Sequence, residues 1–384
     1  MVRQSAFSLY SIEPLAMTRF NSTRWKFACD LLRDFVEDGT LPSAGMIAGC
    51  GSELTEPQLF GQQTLDGSPI RDDAVFLVAS ITKPIVASAA LLLAERGLLT
   101  LSDKVIDYVP EFGRNGKNGV RIRHLLTHSS GLPDMLPNNV ELRRQHAPLS
   151  AFVDGTCDVE LDFAPGRGVG YQSMGIAILG EVIARLTGMS CADFVRREIF
   201  EPLGMTDSWL GLPEHCFEAD SSGTSFVDRV VEINVPDEQV GQDWNWNSRY
   251  WRMLGAPWGG LLTTPADLAR FCQMMLGNSP ETVLSPATIT AATRNQLAEM
   301  PDIPEVERRT KPWGLGWRLN WPAHSANFGD FLGTRTYGHW GATGTVLWID
   351  PDRDAFLVLL TTRPQEPHGT WLARVSNAVA AALP

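Results

Sequence analysis

The chain has 384 residues, of which 32 are Lys or Arg and 44 are Asp or Glu, for a net charge of −12. That balance argues against a nucleic-acid binder, which needs a basic footprint, and offers no attraction to anionic membranes. With 44% hydrophobic and 20% charged residues, the composition fits a globular protein with a large core, in two or three domains or one two-lobed unit.

Met1 to Phe20 contain Glu13 and lack a continuous apolar stretch of signal-peptide length, so no secretory signal is expected. Short strands are expected at 44–50 and 58–61. The apolar run Val75 to Ala79 leads into Ser80, and a helix is expected from Pro84 to Arg96, stopping at Gly97. That apolar stretch is too short to span a membrane. A second helix, Met174 to Leu186, stops at Gly188. Thr264-Pro265-Ala266-Asp267 and Ser285-Pro286 each place a capping hydroxyl before a proline at the first helical position. Near the end, 344–350 and 355–361 read as strands joined by Pro351-Asp352-Arg353-Asp354, which is turn chemistry, so an antiparallel hairpin is expected. Trp371 to Leu383 reads as a closing helix.

This order suggests an α/β protein in which one antiparallel sheet is fed from both termini. The expected sheet lobe comprises residues 1–78 and 310–384, and the mostly helical lobe residues 79–309. An active site is expected at the seam between them. Cys29, Cys50, Cys157, Cys191, Cys216 and Cys272 form no C-x-x-C pair, so they read as buried thiols in a reducing, cytoplasmic setting. His124 and His128 have i, i+4 spacing, but no glutamate stands beside His124, and no metal is expected.

Three strings carry chemistry. In Ser80-Ile81-Thr82-Lys83, the i, i+3 spacing puts Ser80 and Lys83 on one helical face. A serine hydroxyl needs a partner to take its proton, and a lysine can do so once burial lowers its pKa. A helix N-terminus supplies N–H groups for a developing anion. The glycine-rich loop Pro165 to Ser173 delivers Tyr171, and its glycines suggest backbone brought close to a neighbour. The third string, Tyr337-Gly338-His339-Trp340-Gly341-Ala342-Thr343-Gly344, combines small residues on a strand with one histidine.

Together and in this order, these strings resemble the serine β-lactamase and penicillin-binding-protein superfamily, in its class C-like branch. The S-x-x-K, Y-x-N and K-T-G or H-x-G motifs stand here as Ser80 to Lys83, Tyr171-Gln172-Ser173 and His339-Trp340-Gly341. Supporting strings are His124 to Leu132, Pro202 to Met205, Gly259 to Thr264 and Trp313 to Trp317. The likeness runs from about Ala44 to Thr362. It implies a β-lactamase/transpeptidase-like fold, with Ser80 as the acylated nucleophile, Lys83 as its proton partner and Tyr171 as base. It further implies an oxyanion hole from the N–H groups of Ser80 and Ala342, no cofactor, and a small-molecule substrate.

Two departures bear on the substrate. Ser173 stands where the family has asparagine, and His339 replaces lysine, offering a hydrogen-bond donor but no permanent cation. Both weaken the case for strong β-lactam hydrolysis and favour carboxylic esters or small amides, with weak β-lactam turnover allowed. An anionic substrate would need local arginines, such as Arg167. Trp258 and Trp340 are candidate pocket-lining residues, and 221–252 reads as pocket rim. The alternatives are a D-amino-acid peptidase or carboxypeptidase, and a non-catalytic binding or assembly protein on the same fold.

Overall fold

The computed structural model describes residues 19–221, 223–324, 327–364 and 370–384. The segment read for a secretory signal lies almost wholly outside them. The strands are β1 (Ser43–Cys50), β2 (Glu53–Leu54), β3 (Gln58–Gly61), β4 (Phe76–Leu77), β5 (Trp209–Leu210), β6 (Leu261–Thr263), β7 (Arg318–Leu319), β8 (Tyr337–Gly341), β9 (Thr345–Asp350) and β10 (Ala355–Thr361). The large sheet is antiparallel, ordered β2-β1-β10-β9-β8-β7, with β3 also pairing with β1. Strands from both ends of the chain therefore meet at the β1–β10 pair, where Ala44 faces Thr361 and Cys50 faces Ala355. The expected hairpin is β9–β10.

Both faces of this sheet are covered, which is why its central strands read as continuous apolar runs. Along β10, Phe356, Val358 and Leu360 enter the core shared with the helical region, while Ala355, Leu357 and Leu359 enter a second core. The second core is closed by helices Ser22–Glu37 and Trp371–Ala382. There Trp348 Nε1 donates to Ser376 Oγ at 2.8 Å, giving a buried indole the partner it needs.

Helix Ser22–Glu37 is absent from the sequence expectations. Its signals are modest: Asn21 caps it by accepting from the Arg24 amide at 3.0 Å, and Ala28, Cys29 and Leu32 recur at helical spacing as its buried face. The other helices lie close to expectation. Thr82–Glu95 and Met174–Thr187 are followed by Gly97 and Gly188, both with φ of 70°. Thr264 caps Pro265–Leu276 by accepting from the Asp267 amide at 3.1 Å. The helix capped at Ser285 ends at Ala292, where the Leu315 amide takes the Ala292 carbonyl at 2.8 Å.

One strand pairs unexpectedly. β4, which leads into Ser80, joins β6, and β6 joins β5, in a small separate sheet within the helical region. The chain thus leaves the large sheet after Gly61.

Candidate active site

Ser80 lies in the single turn Ala79–Ile81 that opens helix Thr82–Glu95. Ala79 has φ of 46°, a left-handed conformation that an L-residue adopts only when its surroundings impose it. Those surroundings are visible. Thr82 Oγ1 donates to the Ala79 carbonyl at 2.6 Å and accepts from the Leu261 amide at 3.1 Å. From the far side, Thr343 Oγ1 donates to the Leu77 carbonyl at 2.8 Å and Thr345 Oγ1 to the Val78 carbonyl at 3.0 Å. These two threonines fasten the β8–β9 turn to the segment carrying the serine. Gly341 is held so tightly that a Cβ there would overlap the Val78 carbonyl and the Thr345 hydroxyl. Ala342, the next residue, is exposed.

Lys83 is fully buried and donates to Ser80 Oγ at 2.8 Å and to the Trp258 carbonyl at 2.9 Å. Its Nζ stands 4.8 Å from the centre of the Tyr171 ring. Burial brings the Lys83 pKa down to about 7, against a smaller upward pull from Asp134. Tyr171 is 37% exposed, but its hydroxyl end lies in the crowded cluster. Burial raises the phenol well above its ordinary range, and an interaction with Ser80 works weakly the other way.

Behind these groups lies an aromatic wall. His128 is fully buried, with ring centres 4.9 Å from Tyr171 and 4.1 Å from Trp313. Trp313 also lies 6.0 Å from Tyr171 and 5.8 Å from His339. His128 Nδ1 accepts from the Gln172 amide at 3.1 Å, and burial, with Lys83 nearby, keeps the ring neutral. His339 is also buried, its pKa pushed down to about 3 by burial first and then by Lys83.

The family model for Beta-lactamase matches residues 30–380. The chain belongs to the β-lactamase family. Penicillin-binding protein 4 of Amycolatopsis lactamdurans is 30% identical over 89% of this chain and 85% of its own length. Esterase EstB of Burkholderia gladioli is 30% identical over 78% of this chain and 80% of its own. A solved penicillin-binding-protein homologue from Caulobacter crescentus covers 94% of this chain and 98% of its own, with a TM-score of 0.76 at 22% identity, and shows the same fold. As a member of the β-lactamase family, this protein is a serine hydrolase.

Within this β-lactamase-family site, several residues behave differently from expectation. His339 Nδ1 lies 2.7 Å from the Trp340 carbonyl, which requires the proton there, so the neutral ring presents Nε2 as a buried acceptor without a partner. The expected donating histidine is therefore corrected to an accepting one. Ser173 is buried and its hydroxyl is given to Asp134 Oδ1 at 2.6 Å, so it has no free hydroxyl for a substrate. Gln172, between Tyr171 and Ser173, is structural: its amide bonds the His124 and Leu125 carbonyls, each at 3.2 Å. The loop glycines make room for Phe163, since a Cβ at Gly168 or Gly170 would come within 3.1 Å of that ring.

The tryptophans also divide. Trp258 reaches the site through its carbonyl, while its ring is buried against Phe152 with centres 5.4 Å apart. Trp340 points to the opposite face of β8 from His339, packing on Phe328 in the second core. Trp313, from the Trp313 to Trp317 string, is the indole that stands against the rings of His128, Tyr171 and His339. Arg167 is paired with Asp302 at 3.5 Å. Instead, Arg318 on β7 lies over Trp313 and Trp340, at 5.3 and 5.9 Å. Residues 241–243, 245, 247–250, 253 and 254 line a cavity of about 880 Å³ with His146 to Leu149, whose lining includes none of Ser80, Lys83 and Tyr171. His124 Nδ1 accepts from the Arg121 amide at 3.2 Å, and the described residues contain no cluster of three metal-binding side chains. The cysteines are free and buried. Among the described residues no single helix is long and apolar enough to cross a membrane.

Proposed function

We propose that the protein hydrolyses carboxylic esters and small amides through an acyl-enzyme on Ser80, with Lys83 as the proton acceptor. The observation that carries this reading is the 2.8 Å contact between Lys83 Nζ and Ser80 Oγ in a lysine whose pKa is about 7. At neutral pH about half of such a lysine is unprotonated and keeps its bond to the Trp258 carbonyl. Its lone pair then takes the Ser80 proton as Oγ attacks the substrate carbonyl carbon. The carbonyl electron pair moves onto oxygen, facing the N–H groups of Ser80 and Ala342. Collapse of this intermediate expels the alcohol or amine, which takes its proton from Lys83 through the Tyr171 hydroxyl. Water then repeats the sequence on the acyl-Ser80 ester and releases the acid.

In this reading Tyr171 works as a phenol that relays a proton, because burial disfavours the phenolate. The name of the Burkholderia gladioli relative, an esterase, supports the ester reading. So does the absence of a charged group at His339, where a substrate carboxylate would need one.

The test is turnover of p-nitrophenyl butyrate beside nitrocefin, with mass spectrometry after a fluorophosphonate. The expected result is ester hydrolysis, little or no nitrocefin turnover, and one adduct on Ser80 that the Ser80→Ala variant lacks. Neither turnover nor adduct would overturn the catalytic reading. Release of D-alanine from a muramyl-type peptide without ester turnover would replace it with a peptidase.

A further inference from the structure

Asp134 is clamped to the second motif from two directions. Ser173 Oγ donates to its Oδ1 at 2.6 Å, and the Ser173 amide donates to its backbone carbonyl at 3.2 Å. Ser173 is itself immobilised, buried at the mouth of helix Met174–Thr187. The anchor lies two residues beyond Tyr171, so the position of Asp134 is tied to that of the catalytic phenol. Asp134 is nevertheless exposed, and no ion pair among the described residues uses its carboxylate. One carboxylate oxygen is thus spoken for by Ser173, and the charge as a whole is left to act on whatever enters the cleft.

The charges around the site make this carboxylate distinctive. Among the described residues, Asp134 is the one charged group that acts on both Lys83 and Tyr171. Arg318 acts on His128 and His339, on the β8 side. Arg167 is neutralised by Asp302. His339 is neutral and offers an acceptor. A substrate group lying along the Tyr171 side of Ser80 therefore meets a fixed negative charge and hydrogen-bond acceptors.

We propose that Asp134 is the specificity-determining residue of this cleft: presented by Ser173, its carboxylate favours acyl groups bearing a protonated amine and disfavours acyl groups bearing a carboxylate. This rests on the ester-hydrolase reading above. An exposed charge of this kind changes a rate by about threefold to fivefold for each sign of substrate charge, so the ratio between amine and carboxylate substrates moves by about tenfold.

The experiment uses three p-nitrophenyl esters of equal chain length: the hexanoate, the 6-aminohexanoate and the hemiadipate. Values of kcat/KM at pH 7 are measured for the full-length wild type, Asp134→Asn and Ser173→Ala, at 50 and 500 mM salt. The wild type is expected to rank amine above neutral above carboxylate. Asp134→Asn, which keeps an acceptor for Ser173, is expected to reduce the amine-to-carboxylate ratio about tenfold. Ser173→Ala, which frees the carboxylate without removing it, reduces the ratio by less, and high salt compresses it in the wild type and in Ser173→Ala but not in Asp134→Asn. A purely structural role for Asp134 would lower all three rates together and leave the ratio alone. An unmoved ratio in Asp134→Asn, or a wild type that prefers the hemiadipate, overturns the proposal and gives the selection to Arg318. Failure of the wild type to turn over even the hexanoate would instead remove the ester-hydrolase reading on which the proposal stands.

Discussion

Lys83 Nζ donates to the backbone carbonyl of Trp258 at 2.9 Å, across 175 residues of chain, and this bond aims the amine at Ser80. A backbone carbonyl accepts without adding charge, so burial governs the lysine and brings its pKa to about 7. A base must be unprotonated, so kcat/KM for p-nitrophenyl butyrate is expected to rise through about pH 7 and fall below it. Asp134 pulls the Lys83 pKa upward. Asp134→Asn is therefore expected to move the acid limb to lower pH. Tyr171→Phe is expected to lower kcat by about a hundredfold and leave the limb in place. A limb that disappears in Tyr171→Phe would make the phenol the base.

The same burial makes Lys83 a cost to stability. Its folded pKa lies below the ordinary value of 10.5, at about 7. Between these values the unfolded chain binds the proton and the folded chain does not, so stability rises with pH across that window. Below pH 7 the penalty is on the order of 4–5 kcal/mol. Lys83→Met forfeits two hydrogen bonds, at about 1 kcal/mol each, and removes the penalty. The variant is expected to be inactive yet to melt several degrees above the wild type at pH 6, with the gap closing as pH approaches 10. Thermal melts across that range check this, and a lower Tm at pH 6 would contradict it.

Gly341 has no room for a methyl group against Val78 and Thr345. Gly341→Ala is expected to push β8 off the Ser80 segment and displace the Ala342 amide. Loss of one such donor costs about 10² to 10³ in kcat. Steady-state kinetics should show that loss mainly in kcat, with a lower Tm beside it.

Restoring a lysine at the third motif should not restore its electrostatics. His339 is 1% exposed and already faces Lys83 and Arg318. A buried ammonium without a carboxylate partner costs about 3–5 kcal/mol. His339→Lys is therefore expected to lose stability in denaturant titrations and to gain no nitrocefin turnover, whereas His339→Gln should unfold much closer to the wild type.

Much of the site was legible because its residues are local in sequence. Ser80 and Lys83 are one helical turn apart, and helix geometry alone brings them to one face. Helix ends at Gly97 and Gly188, caps at Thr264 and Ser285, and the β9–β10 hairpin were equally readable, since each rests on a few adjacent residues. The expected donor at His339 failed for a local reason that the sequence does not display, because the Trp340 carbonyl takes the ring proton. Helix Ser22–Glu37 was missed although Asn21 and its apolar spacing announce it.

The sequence by itself determined the order of the chemistry: a serine with its lysine, then a tyrosine, then a histidine and glycine on a strand, within a sheet closed by both ends of the chain. Only the tertiary structure decided how those groups are tuned. The lysine depends on burial for its lowered pKa and on the Trp258 carbonyl for its aim, the aromatic wall on Trp313 and His128, and the charge of the cleft on Asp134 and Arg318. Each of these partners is distant along the chain from the group it tunes. Burial and Coulomb interactions depend on distance in space, so these influences appear only once the fold has brought the groups together.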